Sequence, residues 1–172
     1  MYDISISGHM TEPELKIIES WSQSVPKNGV IVELGSHQGR SAYCWSKSCD
    51  PSVKIYCIDK FENEKIPNIY ENFKRNTKDC DNIIVLKGVS PKNINYPGDS
   101  IDIFFMDAAH TNPNDIQNFN HFQKFFKKSF MLCGHDYHKS FPDVIENVKY
   151  FSSLYNKEVQ LYQGTSLWSI KV

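Results

Sequence analysis

Short apolar runs alternate with segments of helical periodicity along almost the whole chain, and this alternation limits the fold more than any other feature. Each run has four to six residues rich in β-branched or aromatic side chains, which is typical of a strand buried on both faces. The predicted strands are Val30–Leu34, Val53–Ile58, Ile83–Leu86, Ile101–Met106, Phe130–Cys133, Val159–Tyr162 and Leu167–Val172. The predicted helices are Glu12–Trp21, Ser41–Lys47, Ile69–Asn76, Asn114–Phe126 and Pro142–Leu154.

This order predicts an α/β fold in which a mainly parallel, doubly wound sheet carries helices on both faces. The last two strands flank the turn Gln163-Gly164-Thr165 and therefore predict an antiparallel hairpin at one edge. Ligands of such sheets bind at the carboxyl ends of the strands, so the loops after the strands are the place to look for function.

The composition is that of an ordinary globular protein, with 40% hydrophobic and 23% charged residues. It excludes a disordered tail, a collagen-like fibre and a coiled coil. The 172 residues suit one domain over residues 1–172, in which residues 1–25 form an N-terminal helical segment. The formal net charge is −1, whereas a duplex-binding domain carries a basic excess, so we expect no nucleic-acid partner.

The five cysteines predict reduced, mostly buried thiols in a cytosolic protein, because their number is odd and no C-x-x-C occurs. The N-terminus lacks a basic region followed by an apolar run, so no signal peptide is expected. The most apolar stretch, Ile101–Met106, is far too short to cross a bilayer. These features predict a cytoplasmic location and no membrane partner.

The loop after the first strand carries the first functional signal, within VIVELGSHQGRSAYCWS. It contains Glu33, Gly35 and Gly39, but neither the dehydrogenase pattern G-x-G-x-x-G nor a P-loop. Glycines allow a ligand to approach the backbone closely, and a helix N-terminus suits a carboxylate. Glu33 suits a cationic or hydroxyl-bearing group. An amino acid attached to a nucleoside therefore fits both the helix N-terminus and Glu33.

Asp59 ends the second strand some two dozen residues after Gly35, which is close to the spacing of a ribose-binding carboxylate. Gly88-Val89-Ser90 follow the third strand and lie in position to border an adenine. A strand-terminal Asp also commonly caps a helix or a turn. Taken in this order, however, the elements favour an adenosine-type cofactor.

Five segments carry a resemblance to a known family: ELGSHQGRS, CIDKF, GVSP, FFMDAAHT and CGHDY. Together they resemble the class I S-adenosylmethionine-dependent methyltransferases, and most closely the small enzymes related to metal-dependent sugar and antibiotic O-methyltransferases. The resemblance implies a Rossmann-like sheet of seven strands with the last one antiparallel. It also implies that the methionine part of S-adenosylmethionine is surrounded by Glu33, Gly35, Ser36, Gly39 and Ser41.

In the same resemblance Asp59 holds the ribose, Lys60, Val89 and Ser90 flank the adenine, and Asp107 borders the donor. His37 stands where the wider superfamily often has glycine, although the subfamily tolerates larger residues there. The resemblance also implies a helical lid over the substrate, which in residues 1–25 is reduced to Glu12–Trp21 and the segment before it.

Acidic and histidine residues follow two neighbouring strands of that fold, with Asp107 and His110 after one strand and His135 and Asp136 after the next. The resemblance implies a metal held by Asp107, His135 and Asp136, and a catalytic pair formed by His110 as base with Asp107. Oxygen donors favour Mg²⁺, Ca²⁺ or Mn²⁺, and histidine shifts the preference toward Mn²⁺, Fe²⁺ or Zn²⁺. Mg²⁺ or Mn²⁺ with a sugar or another small hydroxylated acceptor is the expectation.

Other interpretations stay open from the residues alone. The cluster could hold a metal that activates water, as in a metal-dependent hydrolase. A non-catalytic S-adenosylmethionine-binding module is a further alternative, and a nicotinamide dehydrogenase is disfavoured by the broken glycine pattern. Trp21 and Trp45 mark either a homodimer surface or buried packing. His9, His121 and His138 are interpreted as solvated loop histidines, and for His138 a supporting contact to the site residues is the alternative.

Overall fold

The computed structural model describes residues 1–172 and contains one mixed sheet of seven strands. The strands are β1 (Val30–Leu34), β2 (Lys54–Asp59), β3 (Ile83–Lys87), β4 (Ile101–Met106), β5 (Phe126–Gly134), β6 (Gln160–Leu161) and β7 (Trp168–Lys171). The helices are α1 (Glu12–Gln23), α2 (Arg40–Ser48), α3 (Ile69–Asn76), α4 (Asn114–Phe122) and α5 (Pro142–Tyr155).

The strand order is β3-β2-β1-β4-β5-β7-β6, in which β1 to β5 are parallel and β7 runs antiparallel to both of its neighbours. The chain therefore builds the sheet outward from β1 on one side and from β4 on the other. A crevice opens at such a switch point, outside the carboxyl ends of the strands. The predicted Rossmann-like fold with an antiparallel edge hairpin is confirmed.

The core consists of two apolar layers, one on each face of the sheet. Successive side chains of a strand point to opposite faces, so Phe105 of β4 joins the layer of α1, α2 and α3, while Phe104 joins the layer of α4 and α5. Trp21 and Trp45 are both buried in the first layer, at 5% and 0% exposure. The structure therefore favours the packing interpretation for these two tryptophans over the surface one.

Most predicted boundaries differ from the observed ones by a residue or two, and the largest difference lies between α4 and β5. The helix predicted over Asn114–Phe126 ends at Phe122 and continues as a 3₁₀ turn over Gln123–Phe125. Strand β5 then begins at Phe126, four residues before the predicted start. The sequence did not predict this start because the polar segment Lys127–Ser129 interrupts the apolar pattern. In the structure Lys127 Nζ donates a hydrogen bond to Asp102 Oδ2 at 2.7 Å.

The segment before α1 is held against the first turn of α2. The Arg40 guanidinium donates hydrogen bonds to the backbone carbonyls of Ile4, Ile6 and Met10. Helix α1 itself begins with a capping box, in which Thr11 and Glu14 satisfy each other's free groups.

All five cysteines are free, and none of the helices has the length and apolar character needed to cross a membrane.

Candidate functional site

A cavity of about 780 Å³ opens at the carboxyl ends of the parallel strands. It spans the loops after β1, β2 and β3 on one side and the loops after β4 and β5 on the other. The predicted site residues in its wall are Gly35, Asp59, Lys60, Val89, Ser90, Asp107, His110, His135 and Asp136. We refer to the part lined by the loops after β1 to β3 as the donor half, and to the part around Asp107, His110, His135 and Asp136 as the acidic half.

Gly35 lets the loop after β1 pass directly over the end of β4. Its φ is +90°, and a Cβ at this position would overlap the backbone carbonyl of Asp107. Its backbone N–H donates to the carbonyl of Ile58 at 2.8 Å, which joins the loop to β2. A side chain at Gly35 would therefore force the donor half away from the acidic half.

Four residues predicted to surround the donor do not line the cavity. Glu33, Ser36, Gly39 and Ser41 are all buried. The Glu33 carboxylate accepts a hydrogen bond from the Trp45 indole at 3.0 Å, and burial raises the pKa of Glu33 to about 7. Glu33 thus braces α2 against β1, and its direct contact with a donor stays a prediction.

Asp59 ties the loops after β1 and β2 together. One carboxylate oxygen accepts the backbone N–H of His37 at 2.8 Å, and the other accepts that of Phe61 at 2.6 Å. A carboxylate offers about four acceptor positions, so capacity remains for two further donors such as ribose hydroxyls. The turn-capping and ligand-binding interpretations of Asp59 are therefore compatible.

His37 and His9 line the donor half, although neither was singled out as a site residue from the sequence. Both ring nitrogens of His37 are buried and have no hydrogen-bond partner, and its ring centre lies 5.4 Å from that of His9. Burial and the nearby His9 lower the pKa of His37, which keeps the ring neutral. The chain itself supplies no partner for these two nitrogens, and an unpartnered buried polar group is costly.

The acidic half forms because β4 and β5 are neighbours, with Met106 opposite Gly134. The His110 Nε2 lies 3.2 Å from Asp107 Oδ1 and 3.0 Å from Asp136 Oδ2, so the imidazole bridges the two carboxylates. His110 and Asp136 both have positive φ, at 55° and 60°. Non-glycine residues in this region carry some backbone strain and cluster at functional sites.

His135 is buried on the other side of the two carboxylates, with Nδ1 lying 3.3 Å from Asp136 Oδ1 and 3.7 Å from Asp107 Oδ1. Its Nε2 lies 3.0 Å from Oε1 of Glu14, a residue of α1 that sequence reasoning missed. The capping-box spacing of Thr11 and Glu14 was visible in the sequence. Nothing in that spacing indicated that the second carboxylate oxygen reaches a residue 121 positions away.

The charges of the acidic half compensate one another. Burial acts to lower the pKa of His110, but Asp107 and Asp136 outweigh it and raise that pKa to about 10. His135 behaves alike: Asp136 and Glu14 overcome burial and raise its pKa to about 10. Burial raises the pKa of Asp107, whereas hydrogen bonds from both histidines overcome burial and lower that of Asp136.

Glu14 also stays ionised. Burial acts to raise its pKa, but hydrogen bonds, first of all from His135, lower it to about 2. Two imidazolium rings therefore stand among three carboxyl groups at neutral pH.

Three side chains bring donor atoms within 4.8 Å of one another, namely Asp107, His110 and Asp136. Asp107 and Asp136 were predicted as metal ligands, whereas the third predicted ligand, His135, lies outside this group. Carboxylate oxygens with one imidazole are ligands that Mg²⁺ or Mn²⁺ accepts. The donor set fits a cation, but binding must release the protons that the histidines now hold.

The strand order and the cavity at its switch point are those of the class I S-adenosylmethionine-dependent methyltransferases. A family profile described as "Methyltransferase domain" matches residues 32–137, which is more than half of the chain. The chain therefore belongs to this methyltransferase family. By sequence, no curated protein matches it.

Solved methyltransferases share the fold over nearly the whole chain. A precorrin-6y C5,15-methyltransferase from Geobacter metallireducens GS-15 is 11% identical and superposes with a TM-score of 0.70, covering 99% of this chain and 95% of its own. An O-methyltransferase from Bacillus cereus, solved in complex with S-adenosylhomocysteine, is 15% identical with a TM-score of 0.68, covering 98% and 84%. A TDP-rhamnose 3′-O-methyltransferase of calicheamicin biosynthesis is 14% identical with a TM-score of 0.70, covering 91% and 76%.

Proposed function

We propose that this protein transfers the methyl group of S-adenosylmethionine to a hydroxyl oxygen of a sugar or another small molecule. The observation that carries this proposal is the position of His110 between Asp107 and Asp136, in the wall of the same cavity as Gly35 and Asp59. Support for oxygen as the acceptor atom comes from the O-methyltransferases among the solved relatives.

The donor half would hold the nucleoside. Asp59 has acceptor capacity for the ribose hydroxyls, and Lys60, Val89 and Ser90 border the position proposed for the adenine. Gly35 gives the amino-acid end room beside the β1 loop. Glu33, Ser36, Gly39 and Ser41 would act from behind by shaping this loop.

The sulfonium donor supplies a methyl group that is already activated for nucleophilic attack. The task of the chain is therefore to orient the acceptor oxygen and to remove its proton. A bond forms between that oxygen and the methyl carbon, and the bond from sulfur to carbon breaks. The hydroxyl proton passes to Nδ1 of His110, since Nε2 donates its hydrogen to the two carboxylates. Asp107 and Asp136 hold the His110 ring at 3.2 and 3.0 Å and stabilise the imidazolium that results.

His110 must be neutral to accept this proton, yet its two carboxylate neighbours raise its pKa to about 10. A divalent cation held by Asp107 and Asp136, with His135 as the proposed third ligand, would supply positive charge that polarises the acceptor hydroxyl. The two carboxylates would then stabilise the His110 proton less, and the ring would become a base near neutral pH. The proposed cation would therefore lower the pKa of His110 far enough for the ring to act as the proposed base.

Calorimetry with S-adenosylmethionine, S-adenosylhomocysteine and NAD, with and without Mg²⁺ or Mn²⁺, tests the donor first. We expect both sulfur nucleosides to bind and NAD not to bind. A panel of sugars and phenols is then assayed for formation of S-adenosylhomocysteine, before and after EDTA. Loss of turnover in EDTA with unchanged nucleoside binding would support the cation, and unchanged turnover would contradict it.

The same binding and turnover measurements, extended to aryl phosphates as substrates, separate the two alternatives. Nucleoside binding without turnover on any acceptor would favour a non-catalytic binding module. Hydrolysis of aryl phosphates without nucleoside binding would favour a metal-dependent hydrolase and would contradict the proposed function.

A further inference from the structure

Glu14 is a buried carboxylate whose two oxygens serve different parts of the molecule. The residue is only 4% exposed. Oε2 accepts the backbone N–H and the hydroxyl of Thr11, both at 2.8 Å, and thereby caps α1. Oε1 is turned the other way and accepts from His135 Nε2 at 3.0 Å and from the backbone N–H of Ser166 at 3.2 Å.

Helix capping does not explain the second oxygen. A capping box needs only one carboxylate oxygen at the N-cap, and a capping Glu is normally solvated at its other side. Here Oε1 joins α1 to the end of β5 and to the segment that enters β7. Burying an ionised carboxylate is costly unless every oxygen has hydrogen-bond donors, and the His135 ring supplies the donor with the greatest charge.

This contact decides which ring nitrogen of His135 faces the acidic pair. Because Glu14 accepts from Nε2, that nitrogen carries a hydrogen both in the cationic ring and in the neutral tautomer. Nδ1 is then the atom that lies 3.3 Å from Asp136 Oδ1 and 3.7 Å from Asp107 Oδ1. In either charge state the ring presents the same nitrogen to the two carboxylates.

We propose that Glu14 is a positioning residue that holds His135 with Nε2 protonated and Nδ1 directed at Asp107 and Asp136. The N-terminal helix is then a structural part of the site and not only its cover. This inference rests on the proposed function, because it gives His135 its role as an oriented neighbour or ligand of a cation. Carboxylates that orient metal-binding histidines in this way contribute strongly to metal affinity.

The direct test is a one-bond ¹H–¹⁵N spectrum of the histidine ring N–H groups in the full chain without added metal. The His135 signals are assigned by their absence in His135→Gln. We expect a slowly exchanging Nε2–H signal in the wild type, and loss of that signal in Glu14→Ala. An unchanged His135 signal in Glu14→Ala would overturn the proposal.

Two control variants separate positioning from helix capping. Thr11→Val removes the capping hydroxyl, and Glu12→Gln neutralises an exposed carboxylate in the same turn. Both are expected to retain the His135 signal, and its loss in either would show that packing of α1 is responsible. If Glu14→Ala does not fold, Glu14→Gln provides the test. Its neutral side chain is a weaker hydrogen-bond acceptor, so the Nε2–H of His135 should exchange with solvent faster than in the wild type. An unchanged exchange rate in Glu14→Gln would overturn the proposal.

Mn²⁺ titration followed by electron paramagnetic resonance gives a second readout. The affinity of Glu14→Ala is expected to be about 10- to 100-fold weaker than that of the wild type, with S-adenosylhomocysteine binding unchanged. Equal Mn²⁺ affinity in both proteins would overturn the link between Glu14 and the cation. A wild type that binds no Mn²⁺ would contradict the cation in the proposed function, while the NMR result would still decide the role of Glu14.

Discussion

The two halves of the cavity differ in how far their polar groups are already satisfied. The donor half contains the His37 ring, whose buried nitrogens have no partner, and the Asp59 carboxylate, which has capacity to spare. The acidic half is saturated, because His110 and His135 neutralise the carboxylates around them. A ligand can therefore enter the donor half without breaking contacts, whereas an acceptor or a cation must exchange partners in the acidic half.

This difference predicts that changes in the acidic half affect turnover, while changes in the donor half affect nucleoside affinity. His110→Ala is expected to lower the rate of methyl transfer by about 100-fold or more, because it removes the proposed base. Binding of S-adenosylhomocysteine should stay unchanged. His138→Ala, an exposed histidine of the next loop, is the matched control and should be as active as the wild type. Wild-type turnover in His110→Ala would remove the proposed base.

Asp59→Asn tests the donor half. The variant keeps the shape of the side chain but removes the charge that would accept ribose hydroxyls, so we expect about 10- to 100-fold weaker binding of S-adenosylhomocysteine. Calorimetry measures the loss, and Asp81→Asn on the exposed surface serves as the control. Equal affinities in the two variants would show that Asp59 only ties the loops together.

His37→Phe separates ligand binding from stability. The variant retains a ring of similar size but removes both unpartnered nitrogens. We therefore expect thermal stability without ligand to be equal or higher, together with up to about tenfold weaker binding of S-adenosylhomocysteine. Thermal melts with and without the nucleoside measure both effects. A loss of stability without ligand, at unchanged affinity, would contradict the role given to His37.

A pH dependence of stability is also expected to arise in the acidic half. The folded state holds protons on His110 and His135 up to a pKa of about 10, whereas an unfolded histidine releases its proton near pH 6.5. The stabilisation is complete below pH 6.5 and declines as the pH rises toward 10, so the unfolding free energy should fall in this window.

Denaturant unfolding between pH 7.5 and 8.5 measures this slope, above the pKa of about 7 of Glu33. The free thiols ionise near pH 8.5 in the unfolded chain and contribute to the slope of every variant alike, so the readout is the difference in slope between variants. His110→Gln should flatten the slope, and His138→Ala should not. Equal slopes in all three proteins would indicate that the histidines are not proton-loaded in the folded state.

The sheet was predictable from local patterns, and the meeting of Asp107, His110 and Asp136 was predictable from the strand neighbours that the family resemblance implies. Continuous apolar runs identify buried parallel strands, and neighbouring parallel strands end at the same edge. The start of β5 was missed because Lys127–Ser129 interrupt the apolar pattern. The position of Glu33 was equally beyond local reasoning, because a strand residue faces the core or the crevice according to what packs against it.

Glu14 and His37 could not be assigned from the sequence for a different reason. Their roles depend on contacts between distant segments, namely α1 with β5 and the N-terminal segment with the β1 loop. A capping box and a loop histidine are common features with local explanations. Only the completed fold shows that one carboxylate oxygen of Glu14 contacts His135 and that the two ring nitrogens of His37 have no partner.

A crystal structure of the wild type soaked with S-adenosylhomocysteine tests the central claim most directly. The account predicts ribose hydroxyls within hydrogen-bond distance of Asp59, a polar group against the His37 ring, and the sulfur atom facing the His110 cluster. A nucleoside bound outside this cavity, or one with its sulfur directed away from His110, would contradict it.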